Sequence, residues 1–207
     1  MDYKCEQILL GSLLGDGGLD MGSRNARFTV KHCSRDRNYL FWKFSILRAT
    51  GWFVGLPKFR PNRNSGSWRI QSMQVPTFTD YYHLFYHDGR KGVLLEVLNK
   101  LEPLGLAVWY MDDGHLGYSY GIYPSVWLYT QSFSREENLM IQLWLRQKYG
   151  VRLNLTKVKT GSGFLLKSSA QCEARKFLKI VTPYILPCMA RKLERGVLSG
   201  QAKAILA

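Results

Sequence analysis

Leu9-Leu-Gly-Ser-Leu-Leu-Gly-Asp-Gly17 and Leu106-Ala-Val-Trp-Tyr-Met-Asp-Asp-Gly114 share one form: an apolar, helix-like run ending in an acid followed by glycine. A single copy reads as a buried helix stopped by its glycine. Two copies change the question. The C-terminal end of a helix carries partial negative charge, so a carboxylate there is electrostatically misplaced and calls for a cation beside it. A divalent metal held by carboxylate and carbonyl oxygens meets that need. Gly11, Gly105 and Ala107 would let the two helices approach closely and bring Asp16 and Asp113 together.

The repetition extends past these runs. The two acids are 97 residues apart, and Ser34-Arg35-Asp36-Arg37-Asn38-Tyr39-Leu40 returns as Ser134-Arg135-Glu136-Glu137-Asn138-Leu139-Met140 at an offset of 100. Self-similarity at a fixed interval marks a duplicated structural unit. Period-two alternation predicts strands over 27–32 and 126–131, 54–60 and 151–159, and 68–73 and 164–168. Helical spacing predicts helices over 36–50 and 136–149, then over 77–87 and 171–181. Ser134 and Glu137 give a capping-box signature, and Gly51 and Gly150 stand where C-caps are expected. One further short strand per half completes the pattern, at a position the alternation does not mark. The expectation is an α+β fold of two pseudo-symmetric αββαββα repeats, residues 1–98 and 99–207, with the two apolar helices packed at the centre.

One face of the strands carries polar chemistry. Arg27, Thr29 and Lys31 alternate with Phe28 and Val30, and Ser67, Arg69 and Gln71 with Trp68 and Ile70. Lys58 and Arg60 stand in the strand between. In the second half Trp127, Tyr129 and Gln131 alternate with Val126 and Leu128, and Arg152, Asn154 and Thr156 with Val151, Leu153 and Leu155. Lys167 follows in the last strand. An ordinary half-exposed sheet also alternates. These faces, however, carry Arg, Lys, Gln, Asn and Thr with almost no acid, the side chains that hydrogen-bond base edges and neutralise phosphates.

Composition agrees. The chain of 207 residues holds 29 Lys and Arg against 15 Asp and Glu, a formal net charge of +14. Such self-repulsion points to a polyanionic partner. Residues 1–101 carry 15 basic and 8 acidic residues and residues 102–207 carry 14 and 7, so each half bears +7. That excludes a neutral enzyme with a basic tail. The apolar runs at 8–14 and 104–108 are too short to span a bilayer, so no membrane partner is expected. Met1-Asp2-Tyr3-Lys4-Cys5-Glu6 does not read as a secretion signal. Cys5, Cys33, Cys172 and Cys188 have no paired spacing and read as reduced, mostly buried thiols. The expected setting is a reducing compartment where nucleic acid is accessible.

The two acidic runs resemble the signature of the LAGLIDADG homing endonucleases in their two-motif, single-chain form. The likeness continues through 101–114, Tyr129-Thr-Gln-Ser-Phe-Ser and Thr182-Pro-Tyr-Ile-Leu-Pro-Cys-Met-Ala-Arg-Lys-Leu193, after the subgroup typified by the yeast mitochondrial omega-intron endonuclease. The resemblance implies antiparallel, saddle-shaped sheets along the major groove of DNA, with the acids over the central minor groove. It implies that Asp16 and Asp113 bind catalytic metal, helped by the carbonyls of Gly15 and Asp112, with Lys91 and Lys192 near the scissile phosphates. The offset of those lysines, 101, fits the internal repeat. Magnesium is the implied ion, with manganese as a substitute and calcium supporting binding without cleavage. The implied substrate is a long, non-palindromic duplex, cut on both strands by a monomer to leave short 3′ overhangs and promote intron mobility. The implied location is a prokaryotic cytoplasm or an organellar matrix, with intron RNA as a further partner.

Other signals compete. Tyr110-Met111-Asp112-Asp113 also matches the catalytic motif of reverse transcriptases. A polymerase palm needs a third acid on a separate strand, and it gives no reason for the copy at Asp16. His83 and His87 lie four apart on an expected helix but lack a Cys or acid partner at zinc-binding spacing. An RNA maturase and a non-cleaving LAGLIDADG-derived DNA-binding protein both remain compatible with the residues.

Overall fold

Asp2 opens the first helix: its carboxylate accepts the Lys4 amide at 3.1 Å, and the apolar run that follows forms α1 (Tyr3–Leu14). The computed structural model describes residues 1–61, 66–119, 122–158 and 163–193. The chain continues through β1 (Gly17–Met21), β2 (Ala26–Cys33), α2 (Arg37–Leu47), β3 (Lys58–Arg60), β4 (Ser67–Gln71) and α3 (Pro76–Phe85). A hairpin of β5 (Tyr86–His87) and β6 (Arg90–Lys91), then a short helix α4 (Leu95–Lys100), lead to the second half. There follow α5 (Pro103–Asp113), β7 (Gly114–Ser119), β8 (Tyr123–Leu128), α6 (Arg135–Tyr149), β9 (Leu153–Lys157), β10 (Phe164–Ser168) and α7 (Gln171–Val181). The αββαββα order occurs twice, in a mixed α+β fold. Each half holds a four-stranded antiparallel sheet, ordered β1-β2-β4-β3 and β7-β8-β10-β9.

The strands that alternation did not mark are β1 and β7, each starting at the glycine of its acidic motif. Helix ends follow their local chemistry. Ser134 and Glu137 make the full capping box on α6, and Gly150 closes that helix at φ 65°. Gly51 takes φ 75° after α2.

The centre of the molecule is the pair α1 and α5. Both are buried nearly all round, as befits core helices and not surface ones. Their backbones touch because glycine faces backbone: a methyl on Gly11 would collide with the Gly105 carbonyl oxygen and lie 2.7 Å from Val108 Cβ. A methyl on Gly105 would lie 2.6 Å from Gln7 Oε1. Gln7 spans the same junction, donating to the Lys100 carbonyl at 3.0 Å and accepting the Glu102 amide at 2.8 Å.

Several expectations change. The residues on either side of the expected 98/99 division lie in α4. β8 ends at Leu128, leaving Tyr129 and Gln131 beyond the sheet, because Thr130 is fully buried and bonds Asn138 as the chain turns into α6. β9 starts at Leu153, so Arg152 is not a ladder residue; its amide donates to Glu173 at 2.7 Å instead. Of the strand expected over 151–159, Lys159 lies outside the described residues. Only Cys5 among the cysteines is buried; Cys33, Cys172 and Cys188 are exposed and all four are free thiols. No described helix is long and apolar enough to cross a membrane.

Gly11→Ala separates two effects of opposite sign. Helix propensity alone would stabilise α1 by about 1 kcal/mol, whereas overpacking costs about 1–3 kcal/mol. The contact with Gly105 makes packing dominate, so urea denaturation is expected to show a net loss of stability. A gain would show that the two helices are not in backbone contact.

Candidate active site

The close crossing of α1 and α5 brings both acidic motifs to one end of the pair. Asp113 is the last residue of α5, and Asp16 follows the C-cap of α1 by one residue. The Asp16 amide donates to Asp112 Oδ2 at 3.3 Å, tying one motif to the other. Gly15 makes room for this: a methyl there would stand 2.5 Å from Asp112 Cβ.

The two lysines sit at equivalent places. Lys91 Nζ donates to the carbonyls of Gly15 and Gly17, both at 2.9 Å, and Lys192 Nζ donates to the Gly114 carbonyl. Each ammonium therefore caps carbonyls at the end of one motif helix, where positive charge is favoured. Lys91 is presented by the β5–β6 hairpin, whose Asp88-Gly89 turn has φ 51° and 74°, the geometry of a two-residue hairpin loop. Lys192 ends the short 3-10 helix Pro187–Lys192, held where the Tyr110 hydroxyl donates to its carbonyl at 2.9 Å. The preceding arginines cross to the other half. Arg90 pairs with Glu137 and Arg191 with Asp36, both at 2.8 Å.

Asp112 has a different job from its neighbour. Its side chain is wholly buried, with Lys43 Nζ at 2.8 and 2.9 Å from its two oxygens and the Tyr39 hydroxyl at 2.8 Å. Lys43 is itself fully buried and lies 4.4 Å from the Tyr39 ring centroid. His32, on the inner face of β2, places Nδ1 3.2 Å from Asp16 Oδ2 and Nε2 3.7 Å from Asp112 Oδ1. Its buried Nε2 has no hydrogen-bond partner among the described residues. Sequence reasoning missed His32, Tyr39 and Lys43. Alternation along Phe28, Val30 and His32 would have turned the histidine inward. A lysine at 43, on the stripe formed by Leu40, Phe44 and Leu47, signals a buried ammonium in need of an acid.

The two motif acids are electrostatically unequal. Burial pushes Asp113 up to about 7, reinforced by Asp16 and Asp112 and opposed by Lys91 and Lys192. Burial also acts to raise Asp16, but the His32 hydrogen bond, with Lys43 and Lys192, holds it below the ordinary carboxylate value. Burial lowers Lys91 and Lys192, against the pull of all three acids; Arg191 lowers Lys192 further. The donor set suits a hard divalent cation. Asp16, His32 and Asp112 present ligand atoms within 4.8 Å of one another. Both Asp112 oxygens are already engaged, however, while the Asp113 carboxylate has no hydrogen-bond partner among the described residues. The Gly15 carbonyl, an expected metal helper, here accepts the Lys91 ammonium.

Register places the strand residues. Thr29 pairs with Gln71, Lys31 with Arg69 and Arg69 with Lys58, and Ser67 with Arg60, with Arg27 on the same face of β2. In the second half Trp127 pairs with Lys167 and Lys167 with Asn154, with Thr156 on the same face of β9. Asp20 is an acid on the first face, 3.8 Å from Arg27. Tyr129 packs against His115 and Trp127, and its amide donates to the Asp113 carbonyl at 2.9 Å. Gln131 is exposed beyond the sheet, and Arg152 lies 3.9 Å from Glu173.

A profile described as "LAGLIDADG DNA endonuclease family" matches residues 6–174. The chain belongs to the LAGLIDADG DNA endonuclease family. It is 30% identical over 207 residues to the DNA endonuclease I-ChuI of Chlamydomonas applanata, covering 92% of this chain and 94% of that one. It is also 29% identical over 200 residues to a Protein RecA of Mycobacterium gastri, covering 90% of this chain but only 46% of that protein. The structure of the homing endonuclease I-WcaI bound to its DNA recognition sequence superposes with a TM-score of 0.80 at 22% identity, over 93% of this chain and 87% of that one. The fold is thus that of the LAGLIDADG endonucleases.

The buried Lys43–Asp112 pair invites a double-mutant cycle. Removing either partner alone, by Lys43→Met or Asp112→Asn, is expected to cost about 3–5 kcal/mol in urea denaturation. The double variant should fall short of the summed loss by about 2 kcal/mol. Strict additivity would show that the two groups do not sustain one another.

Proposed function

We propose that this chain is a divalent-metal-dependent endonuclease that cuts both strands of a long, non-palindromic DNA duplex, acting as a monomer and leaving short 3′ overhangs that promote intron mobility. The observation that carries it is the meeting of one carboxylate from each repeat, Asp16 and Asp113, at adjoining helix ends with the ammonium groups of Lys91 and Lys192. One carboxylate and one lysine per repeat match one reaction per DNA strand.

Asp16 and Asp113 are the groups we assign to hold the metal, with the Gly15 and Asp112 carbonyls as helpers. When bound, divalent ions supply Lewis-acid polarisation of the phosphodiester and stabilise the leaving 3′ oxygen. Magnesium is the ion proposed, with manganese able to replace it; the looser coordination of calcium suits binding without cleavage. Lys91 and Lys192 bring positive charge to the phosphate on each strand. For the Gly15 carbonyl to hold metal, Lys91 would have to give up that oxygen, which would leave its ammonium for the phosphate. His32 orients the Asp16 carboxylate, and the buried Asp112 fixes the Asp16 backbone. The cationic strand faces hold the duplex. Such a protein works where its target genome lies, a prokaryotic cytoplasm or an organellar matrix, with intron RNA as a further partner.

The test is incubation of the full chain with a randomised duplex library, with magnesium, with calcium, and with excess chelator. Magnesium is expected to give double-strand breaks with staggered ends, calcium retention of the same sequences uncut, and chelator no cutting. Sedimentation of the calcium complex should give one chain per duplex. Cutting in chelator would overturn the metal assignment, two chains per duplex would overturn the monomer, and binding with no cutting in any metal would leave a DNA-binding protein.

A further inference from the structure

The polar faces of the two sheets carry unlike chemistry. On the N-terminal sheet the register sets Lys31, Arg69 and Lys58 abreast on three neighbouring strands. Like charges directly opposite one another destabilise a sheet. None of the three has an acidic partner among the described residues, and both lysines are exposed. Asp20, the acid on this face, is engaged by Arg27 at 3.8 Å and by the Thr29 hydroxyl at 3.4 Å. The cationic row is therefore left open to acceptors from outside the chain.

On the C-terminal sheet one row crosses all four strands: His115, Trp127, Lys167 and Asn154. It holds one lysine, and that ammonium lies 4.8 Å from the Trp127 ring centroid. His115 stands edge-on to Trp127 with centroids 5.8 Å apart, and Tyr129 packs against both rings. This row sets one cation beside two rings and an amide, where the row on the other sheet sets three cations abreast.

In a major groove, arginine and lysine recognise the O6 and N7 acceptors of guanine, asparagine pairs with adenine, and apolar side chains meet the thymine methyl. We infer that the two half-sites of the target differ in composition: guanines are read by Lys31, Lys58 and Arg69 under the N-terminal sheet, and A·T pairs by Trp127 and Asn154 under the C-terminal sheet. The inference rests on the endonuclease reading above and adds the substrate sequence class to it.

The experiment selects a fully randomised duplex library with the full-length protein in calcium and sequences the retained molecules. It is repeated with Arg69→Ala and Trp127→Ala to assign each half-site to its sheet. Each variant is expected to relax base preference by about tenfold on one side of the centre only. The side relaxed by Arg69→Ala should be guanine-rich, and the side relaxed by Trp127→Ala rich in A·T. Half-sites of equal composition, the reverse assignment, or relaxation of both sides by either variant would overturn the inference while leaving the endonuclease intact. Retention of no sequence at all would overturn the DNA-binding reading and this inference with it.

Discussion

Everything in this molecule depends on the backbone contact between α1 and α5 at Gly11 and Gly105. Two apolar helices of such similar length, crossing this closely, end side by side. Their C-terminal dipoles then point at the same small volume, and both motifs add carboxylates there. Three negative groups share that end: Asp16, Asp112 and Asp113. Such convergence is unfavourable unless cations converge as well. Lys43 neutralises Asp112 from below, and Lys91 and Lys192 cap the helix-end carbonyls from either side. Among the described residues, what is left without a hydrogen-bond partner is the Asp113 carboxylate, which burial and the neighbouring acids push up to about 7. That carboxylate is where the proposed divalent cation would be held.

The two halves share topology but not their wiring. In the N-terminal half the space behind the motif is filled by His32, Tyr39 and Lys43, a charged cluster that reaches across to Asp112. In the C-terminal half the corresponding inner position of β8 is followed by Thr130, which bonds Asn138 in a neutral, fully buried pair. The cross-repeat ion pairs Arg90–Glu137 and Arg191–Asp36 do preserve the symmetry. Each is partly or largely exposed and so of small energetic weight by itself. Their effect is positional: each steadies the segment that delivers one lysine.

Much of this was legible in the residues. The apolar runs, the capping box at Ser134 and the glycine stops at Gly51 and Gly150 are local rules, and the structure follows them. The duplicated order was legible because the two copies kept their spacing. β1 and β7 were not, since Gly17-Gly18 and Gly114-His-Leu-Gly117 dilute the alternation with residues poor in strand propensity. The strand ends at Tyr129 and Arg152 were overrun because alternation persists where the ladder stops; burial of Thr130 and the Glu173 hydrogen bond decide those ends, and both are tertiary. Of the site, Asp16 and Asp113 were legible as misplaced charges. The partition of labour between Asp112 and Asp113 was not, because it turns on Lys43, some seventy residues away in sequence.

The central claim is that Asp16 and Asp113 act as metal-holding groups and not as helix stops. It is tested most directly by Asp16→Asn and Asp113→Asn, each assayed by a cleavage time course beside a binding titration on the same duplex. Asparagine keeps the size and removes the charge. Each variant is predicted to stay folded and to bind DNA at least as tightly as the parent, since an unscreened carboxylate repels phosphate. Each is predicted to lose more cleavage than the roughly 10–100-fold that follows loss of a mere outer-shell partner. Cleavage at the parental rate in both variants would contradict the account.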